Sequence, residues 1–571
     1  MTVADGQSYD YIICGGGTAG CVLARRLAEG SDASILLIEA GGPKGSVPPS
    51  AIPAALAQVL GTENDWNIKS EPVNALDNRE LHLARGKFIG GSSSTNGTLC
   101  IRGFKQDYDD WQVPGWSGDE MFRYMSRAEQ FHNKDWFKAT EKHGKNGNVL
   151  TAPHDPAPIS NLVLESYQSK GMPLVPDMFT TGETAQGCGH AVRTIFQGVR
   201  TTSADYLNDE QPNLTILNKT YVDKVGLVKI GDHLRAESVH VKTHDGTLLS
   251  FKASREVILT AGSYCSPAIL LRSGIGPRAE LSQHQIPQKL DLPVGENLMD
   301  HLVVLTFYEV NKPGITNDYL IWHNGARERS IAQYKADRTG FMSQFPFGTF
   351  AYARLDERLK DAPLWQQASK GAAPGRDALG LSRSQPHVEF WNTECYSPKY
   401  MFRDFPSDDK HAFAMATEVF GPRSRGRVSL RSTDPLTNPV VDHNYLSDPV
   451  DMLVFSEACK LANEIAIEGA GTKDIIVGSW PAHLTHHTYK SRDEWVPEIR
   501  KRADTCYHPA GTCKMGTDST AVVDPELRVK GVEGLRVVDA SVFPKLMCGH
   551  PCMAVYATAE KAAGMILASS A

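Results

Sequence analysis

Residues 15–20, Gly15-Gly16-Gly17-Thr18-Ala19-Gly20, have the spacing G-x-G-x-x-G. An apolar run at 10–14 precedes them, and residues 21–28 have helical periodicity. A second apolar run, 35–38, ends in Glu39, nineteen residues past Gly20. Glycines in a strand-to-helix turn let backbone N–H groups approach a pyrophosphate. The helix N-terminus adds positive dipole, and the acid accepts from ribose hydroxyls. Gly15, Gly17, Thr18, Ala19, Gly20, Glu39 and Ala40 are therefore read as holding an adenine dinucleotide. The motif does not choose between NAD and FAD.

The elements that position this turn lie in a chain of 571 residues, long enough for more than one domain. The composition, 41% hydrophobic and 22% charged, is that of an ordinary globular protein. A net charge of −7 without basic runs argues against nucleic acid or an anionic membrane as partner. Residues 1–7 lack a basic and an apolar region, and no stretch has the length to span a bilayer, so the expectation is a cytoplasmic protein. The eleven cysteines form no compact framework. The close pairs Cys506/Cys513 and Cys548/Cys552 lack C-x-x-C spacing, so reduced thiols and no metal are expected.

Strand patterns recur at 214–217, 238–241 and 248–251, with a hairpin turn at 244–247, and again at 256–262. This reads as a β-meander returning to the nucleotide-binding part. The chain end brings another strand at 535–539 and a helix beginning near Pro551. Residues 301 to about 500 mix strands, helices and polar loops and read as an inserted second domain.

With these segments in view, the chain resembles the glucose-methanol-choline (GMC) oxidoreductases, FAD flavoproteins, from residue 8 to about 566. The run 86–97, GKFIGGSSSTNG, resembles the first family signature, and 262–277, GSYCSPAILLRSGIGP, the second. The run 294–301, VGENLMDH, matches G-x-N-L-x-D-H, and 424–428 with 444–446 is similar to a marker of the substrate domain. The run 507–516, YHPAGTCKMG, carries the family's catalytic histidine, and 538–541 with the helix after His550 closes the pattern.

The resemblance implies an α/β fold, α+β overall. Its Rossmann-like FAD-binding domain would be built from the separated segments 1–155, 220–300 and 500–571. A substrate-binding domain with an antiparallel sheet and helices would comprise 156–219 and 301–499. It assigns Gly90, Gly91, Ser92, Ser93, Asn96, Gly97, Asp223, Asp539, Ala540 and Pro551 to the cofactor, with Asn96 and Gly97 near the flavin. Some family members attach FAD through a histidine just before that asparagine. Here Thr95 stands there, so non-covalent FAD is expected.

Oxidising an alcohol removes a proton from O–H and a hydride from C–H. A neutral imidazole suits the proton near physiological pH. By resemblance, His508 is that base and His550, the second position of the family's pair, hydrogen-bonds the developing alkoxide. Formate-oxidising relatives carry arginine at the latter position, so His550 argues for an alcohol. In 386–391, His387, Glu389 and Trp391 alternate onto one face of a strand and are candidates for the pocket wall or for buried structural residues. The expected activity is FAD-dependent oxidation of a small, primary, possibly aryl or allylic alcohol, with O2 or a quinone reoxidising the flavin. The alternative is an FAD-containing lyase or cyclase of the same family. A non-catalytic flavin-fold binding protein would need neither His508 nor its motif.

Overall fold

A computed structural model describes residues 4–208, 211–396 and 406–570. The apolar runs at the start of the chain become β1 (Ser8–Cys14) and β2 (Ile35–Ile38), joined by α1 (Thr18–Gly30). Ile12, Ile13, Leu36 and Leu37 have no exposed surface. Strands covered on both faces need continuous apolar runs, which is why these segments do not alternate. They belong to an eight-stranded sheet with β3 (Leu214–Leu217), β4 (Thr220–Ile230), β5 (His233–Thr243) and β6 (Leu248–Leu259), in the order β3-β2-β1-β6-β5-β4. β3, β2, β1 and β6 run parallel, and β6, β5 and β4 form an antiparallel meander. Leu535–Val537 adds in parallel to β6. The terminal helix α2 (Cys552–Ser570) packs against α1.

Three expectations change here. Leu214–Leu217 is the parallel edge strand beside β2, so the nucleotide sheet takes a strand from the segment 156–219 that the sequence division gives to the substrate domain. A four-residue pattern does not reveal which sheet it will join, because that is fixed by hydrogen bonds to a distant partner. The short strands at 248–251 and 256–262 are one strand, in which Lys252, Ser254 and Arg255 are simply the exposed positions. Third, β4 was not expected.

The second sheet is antiparallel. Its core is β7 (Leu302–Val310), β8 (Phe347–Ala353), β9 (Val388–Thr393) and β10 (His411–Val419), in the order β7-β10-β9-β8. Period-two alternation gives it two faces. Val388, Phe390, Phe413 and Met415 join the helix Pro449–Glu468 in one apolar core. The alternate residues, Val303, Phe350, Trp391 and Ala416, form a separate cluster on the opposite face. Glu389 and Glu418 occur in the alternation on that second face. Among the described residues no helix is long and apolar enough to cross a membrane.

Candidate active site

Two cavities share part of their linings. The first, about 180 Å³, is lined by Gly15, Gly17, Glu39, Ala40, Val222 and Asp539. The second, about 340 Å³, has His508 and His550 in its wall together with Thr95, Asn96 and Gly97. Thr18, Ser92 and Ala540 belong to both linings, so one elongated ligand could occupy the two.

His508 follows the short strand Asp504–Thr505, which pairs with the start of β7. Its backbone is tightly fixed. Tyr507 before it has φ +64°, a left-handed conformation unusual for a bulky residue. Asp300 accepts the His508 N–H at 2.7 Å and the His301 N–H at 2.9 Å. Thr505 and Tyr445 donate their hydroxyls to the other oxygen of Asp300. His550 lies in the loop that enters α2. Its ring centroid is 4.7 Å from that of His508, at an interplanar angle of 77°.

Behind the two rings lie two carboxylates. Glu389 on β9 stands directly opposite Glu418 on β10, and neither has exposed surface. His550 Nε2 donates to Glu389 Oε2 at 2.7 Å. Glu418 Oε1 lies 3.1 Å from His508 Nδ1 and 2.9 Å from His301 Nδ1. The Cys506 thiol donates to Glu418 Oε2 at 3.0 Å. Breaking one buried pair of this kind costs about 3–5 kcal/mol, because the remaining charge is stranded. Ligand atoms of His301, Glu418 and His508, and separately those of Glu389, Glu418 and His550, lie within 4.8 Å of one another.

The environment drives the two histidines apart. Burial pushes His508 down to about 4, although Glu418 opposes it. Burial also disfavours a charged His550, but Glu389 and Glu418 outweigh it and raise its pKa above the ordinary value. Burial pushes Glu389 up, whereas the histidines around Glu418 overcome burial and hold it well below the usual carboxylate range. A neutral imidazole and a proton-rich one therefore share the same wall, the division of labour expected of a base and a hydrogen-bond donor.

The GMC oxidoreductase pattern matches residues 9–303 in its N-terminal part and 422–559 in its C-terminal part. The chain belongs to the GMC oxidoreductase family. The oxygen-dependent choline dehydrogenase of Burkholderia lata is 33% identical over 98% of this chain and 94% of its own. Formate oxidase superposes with a TM-score of 0.91 at 29% identity, covering 99% of both chains. Pyridoxine 4-oxidase from Mesorbium loti superposes at 0.79 with 27% identity, covering 97% of this chain and 98% of that one. This GMC oxidoreductase is accordingly an FAD-dependent enzyme acting on a CH–OH group.

The cofactor-facing residues fit FAD. Glu39 accepts the Gly16 and Gly41 N–H groups, each at 2.8 Å, and so holds the turn while lining the cavity. Ala19 and Gly91 line the nucleotide end, and Pro551 the other cavity. Asp539 accepts from the Gly262 and Ser541 N–H groups and from the Ser266 hydroxyl. Asn96 donates to Cys552 Sγ at 3.4 Å and accepts from Arg200.

Gly20, Gly90 and Ser93 lie outside both linings and build the loops from behind. Gly90 N–H donates to the Gly16 carbonyl and the Ser93 hydroxyl to the Gly90 carbonyl. Position 223 is a correction: Asp223 faces Arg272 at 3.3 Å and is not part of the lining, whereas its neighbour Val222 is. One step along a strand turns a side chain to the other face.

His387 takes the second of its two expected readings, a buried structural residue. It precedes β9, pairs with Asp377 at 2.7 Å and accepts the Leu355 N–H, away from the histidine pair. Glu389 reaches His550, and the Trp391 ring centroid lies 6.2 Å from that of His550. Reading the sequence missed Glu418 and gave Asp300 and His301 no task. The available signal for Glu418 was one acid in the otherwise apolar end of 411–419.

Proposed function

We propose that this enzyme oxidises a neutral, mainly apolar primary alcohol, aryl or allylic in kind, with His508 accepting the hydroxyl proton. The observation that carries this reading is the histidine pair in the wall of an apolar cavity. Trp322, Phe341, Phe345 and Phe347 contribute aromatic surface, and no aspartate or glutamate among the described residues lines it. Arg85 and Arg327 do, which disfavours a cationic substrate such as choline. A planar apolar alcohol gains by displacing water from such walls.

His508 Nδ1 is engaged with Glu418 and His301, which leaves Nε2 for the substrate. As the O–H bond breaks, its proton passes to that nitrogen. His550, held by Glu389, supplies the hydrogen bond that stabilises the growing negative charge on oxygen. The C–H bond breaks as the carbonyl forms, and bound FAD supplies the acceptor for the departing hydride. Asn96, Gly97 and Thr95 would flank the flavin, and Gly15, Gly17, Thr18, Glu39 and Asp539 the remainder of the cofactor. We take O2 as the final acceptor, as in the oxidases the chain resembles.

The test is anaerobic mixing with aryl, allylic, aliphatic and sugar alcohols, choline and formate, following flavin absorbance. Aryl or allylic alcohols should bleach the flavin with kcat/KM at least about tenfold above choline, the effect of roughly one well-placed apolar group. A preference for choline or formate overturns the substrate class. Product formation without bleaching would indicate lyase or cyclase chemistry. Bleached enzyme that persists in air and reoxidises only with a quinone overturns the choice of O2.

The pH dependence has a definite sign. His508 must be neutral to accept a proton, and its pKa is lowered to about 4. The rate of flavin reduction should therefore hold as pH falls through the ordinary imidazole range and drop only near that lower value. His550, raised, should stay protonated beyond the ordinary range, so the alkaline limb is displaced upward. A stopped-flow pH profile checks both limbs, and an acid limb at the ordinary imidazole pKa contradicts the assignment.

A further inference from the structure

We infer that Asp107 is the positioning residue for His550, a buried carboxylate that ties the loop carrying the histidine to the strand carrying its partner Glu389. This rests on His550 acting at the substrate oxygen, as proposed above. Asp107 lies in the short helix Lys105–Asp109, is buried, and lines neither cavity. Its Oδ2 accepts the Phe104 N–H at 2.8 Å and the Cys548 N–H at 3.0 Å, and its Oδ1 accepts from Gln385 Nε2 at 2.7 Å.

The three donors come from separate parts of the chain. Phe104 opens the helix, Cys548 stands two residues before His550, and Gln385 stands four residues before Glu389. Among the described residues, the Cys548 bond is the one hydrogen bond that joins the backbone of 546–550 to another segment. The packing around it agrees. A Cβ on Gly549 would lie 2.9 Å from the Gly103 nitrogen, so the two loops touch backbone to backbone. Trp111, just past the helix, donates to the Lys545 carbonyl at 3.0 Å and stacks on Phe543 with ring centroids 5.1 Å apart. His550 therefore takes its place from residue 548 on one side and from Glu389, at 2.7 Å, on the other.

Gln385 is fixed in orientation as well. Its Oε1 accepts the Ser382 N–H at 2.9 Å and Arg376 Nη1 at 3.3 Å, which turns its amide N–H₂ toward Asp107. An ionised carboxylate accepts at both oxygens and so matches all three donors. Burial pushes the pKa of Asp107 up to about 6, which leaves it ionised at neutral pH. The two histidines are thus held alike. Asp300 fixes His508 through its own N–H, and Asp107 fixes His550 through the N–H of residue 548.

The experiment follows anaerobic flavin reduction by the best alcohol in FAD-loaded wild type, Asp107→Asn, His550→Ala and the double variant, each normalised to flavin content. In asparagine an N–H₂ replaces one oxygen and faces a donor whichever way the amide lies. The limiting rate in Asp107→Asn should fall at least about threefold, the scale of one ordinary hydrogen bond lost. Flavin content and the substrate dissociation constant should stay within about twofold of wild type, because Asp107 lines neither cavity. In the His550→Ala background the same substitution should change the limiting rate by less than about twofold, since the side chain it positions is gone.

A merely structural role predicts either an unchanged rate per flavin or equal slowing in both backgrounds, and either result overturns the inference. If Asp107→Asn does not fold, Gln385→Met takes its place. It removes one donor to Asp107 and keeps the bonds to Phe104 and Cys548, and the same pattern is expected and the same results overturn it. Failure of the proposed function looks different. If His550→Ala reduces its flavin at the wild-type rate, His550 has no part at the substrate oxygen and the role of Asp107 falls with it. If His550→Ala slows reduction and Asp107→Asn slows both backgrounds equally, His550 keeps its part and only the role of Asp107 falls.

Discussion

Flavin reduction by a good alcohol should slow by about 10²–10⁴-fold in His508→Ala, with the cofactor still bound. The range is that for loss of a positioned general base, since water in the cavity would have to take the proton without fixed geometry. Cofactor retention follows from the division of the linings. The turn at Gly15–Gly17, Glu39 and Asp539 contact the nucleotide cavity, while the His508 ring is in the wall of the other. Asp300 holds the loop through the backbone N–H of residue 508, which alanine retains. His550→Ala should cost less, because it removes a hydrogen bond to developing charge and not the proton acceptor. Single-turnover stopped-flow on the flavin band, normalised to flavin content, measures both. Near wild-type reduction in His508→Ala would transfer the base role to His550 or favour lyase chemistry.

The next largest effect is expected from one methyl group. In Gly20→Ala the new Cβ would lie 1.9 Å from the Gly15 carbonyl oxygen and 2.9 Å from the Thr260 hydroxyl. Neither the turn nor the start of α1 can yield without moving the other, and Gly15, at φ +118°, has its own Cβ direction blocked by the Thr260 carbonyl. The backbone that should cradle the pyrophosphate therefore shifts, and the variant should purify nearly free of flavin while keeping its far-UV circular dichroism. Wild type should be yellow and should release its flavin on acid precipitation, because Thr95 offers no imidazole for a covalent bond. A yellow Gly20→Ala protein contradicts the role of the turn, and flavin left in the acid pellet of wild type contradicts non-covalent attachment.

Residues 10–39 specified a strand, a glycine turn, a helix and a second strand by local pattern, and the structure has those elements in that order, with the first strand and the helix extended to Ser8–Cys14 and Thr18–Gly30. Hydrophobic runs, turn glycines and the acid after β2 act within a few residues of one another, so a linear reading captures them. The motif around residue 508 likewise marked a histidine, which the structure places in a cavity wall together with His550. Sheet membership was different. Leu214–Leu217 joins the strand at Ile35–Ile38, nearly two hundred residues earlier, through backbone hydrogen bonds that leave no trace in side-chain pattern.

The charges behind the histidines were also decided only by tertiary structure. Glu389 and Glu418 come from different strands, and it is the antiparallel register that sets them opposite each other, beneath two rings from two C-terminal loops. His387 shares the alternation of Glu389 in sequence, yet Asp377 binds it elsewhere. The candidate base was nominated by a motif in the chain. The protonation state that lets it react depends on burial and on partners brought together by folding, because pKa is a property of surroundings and not of residue type.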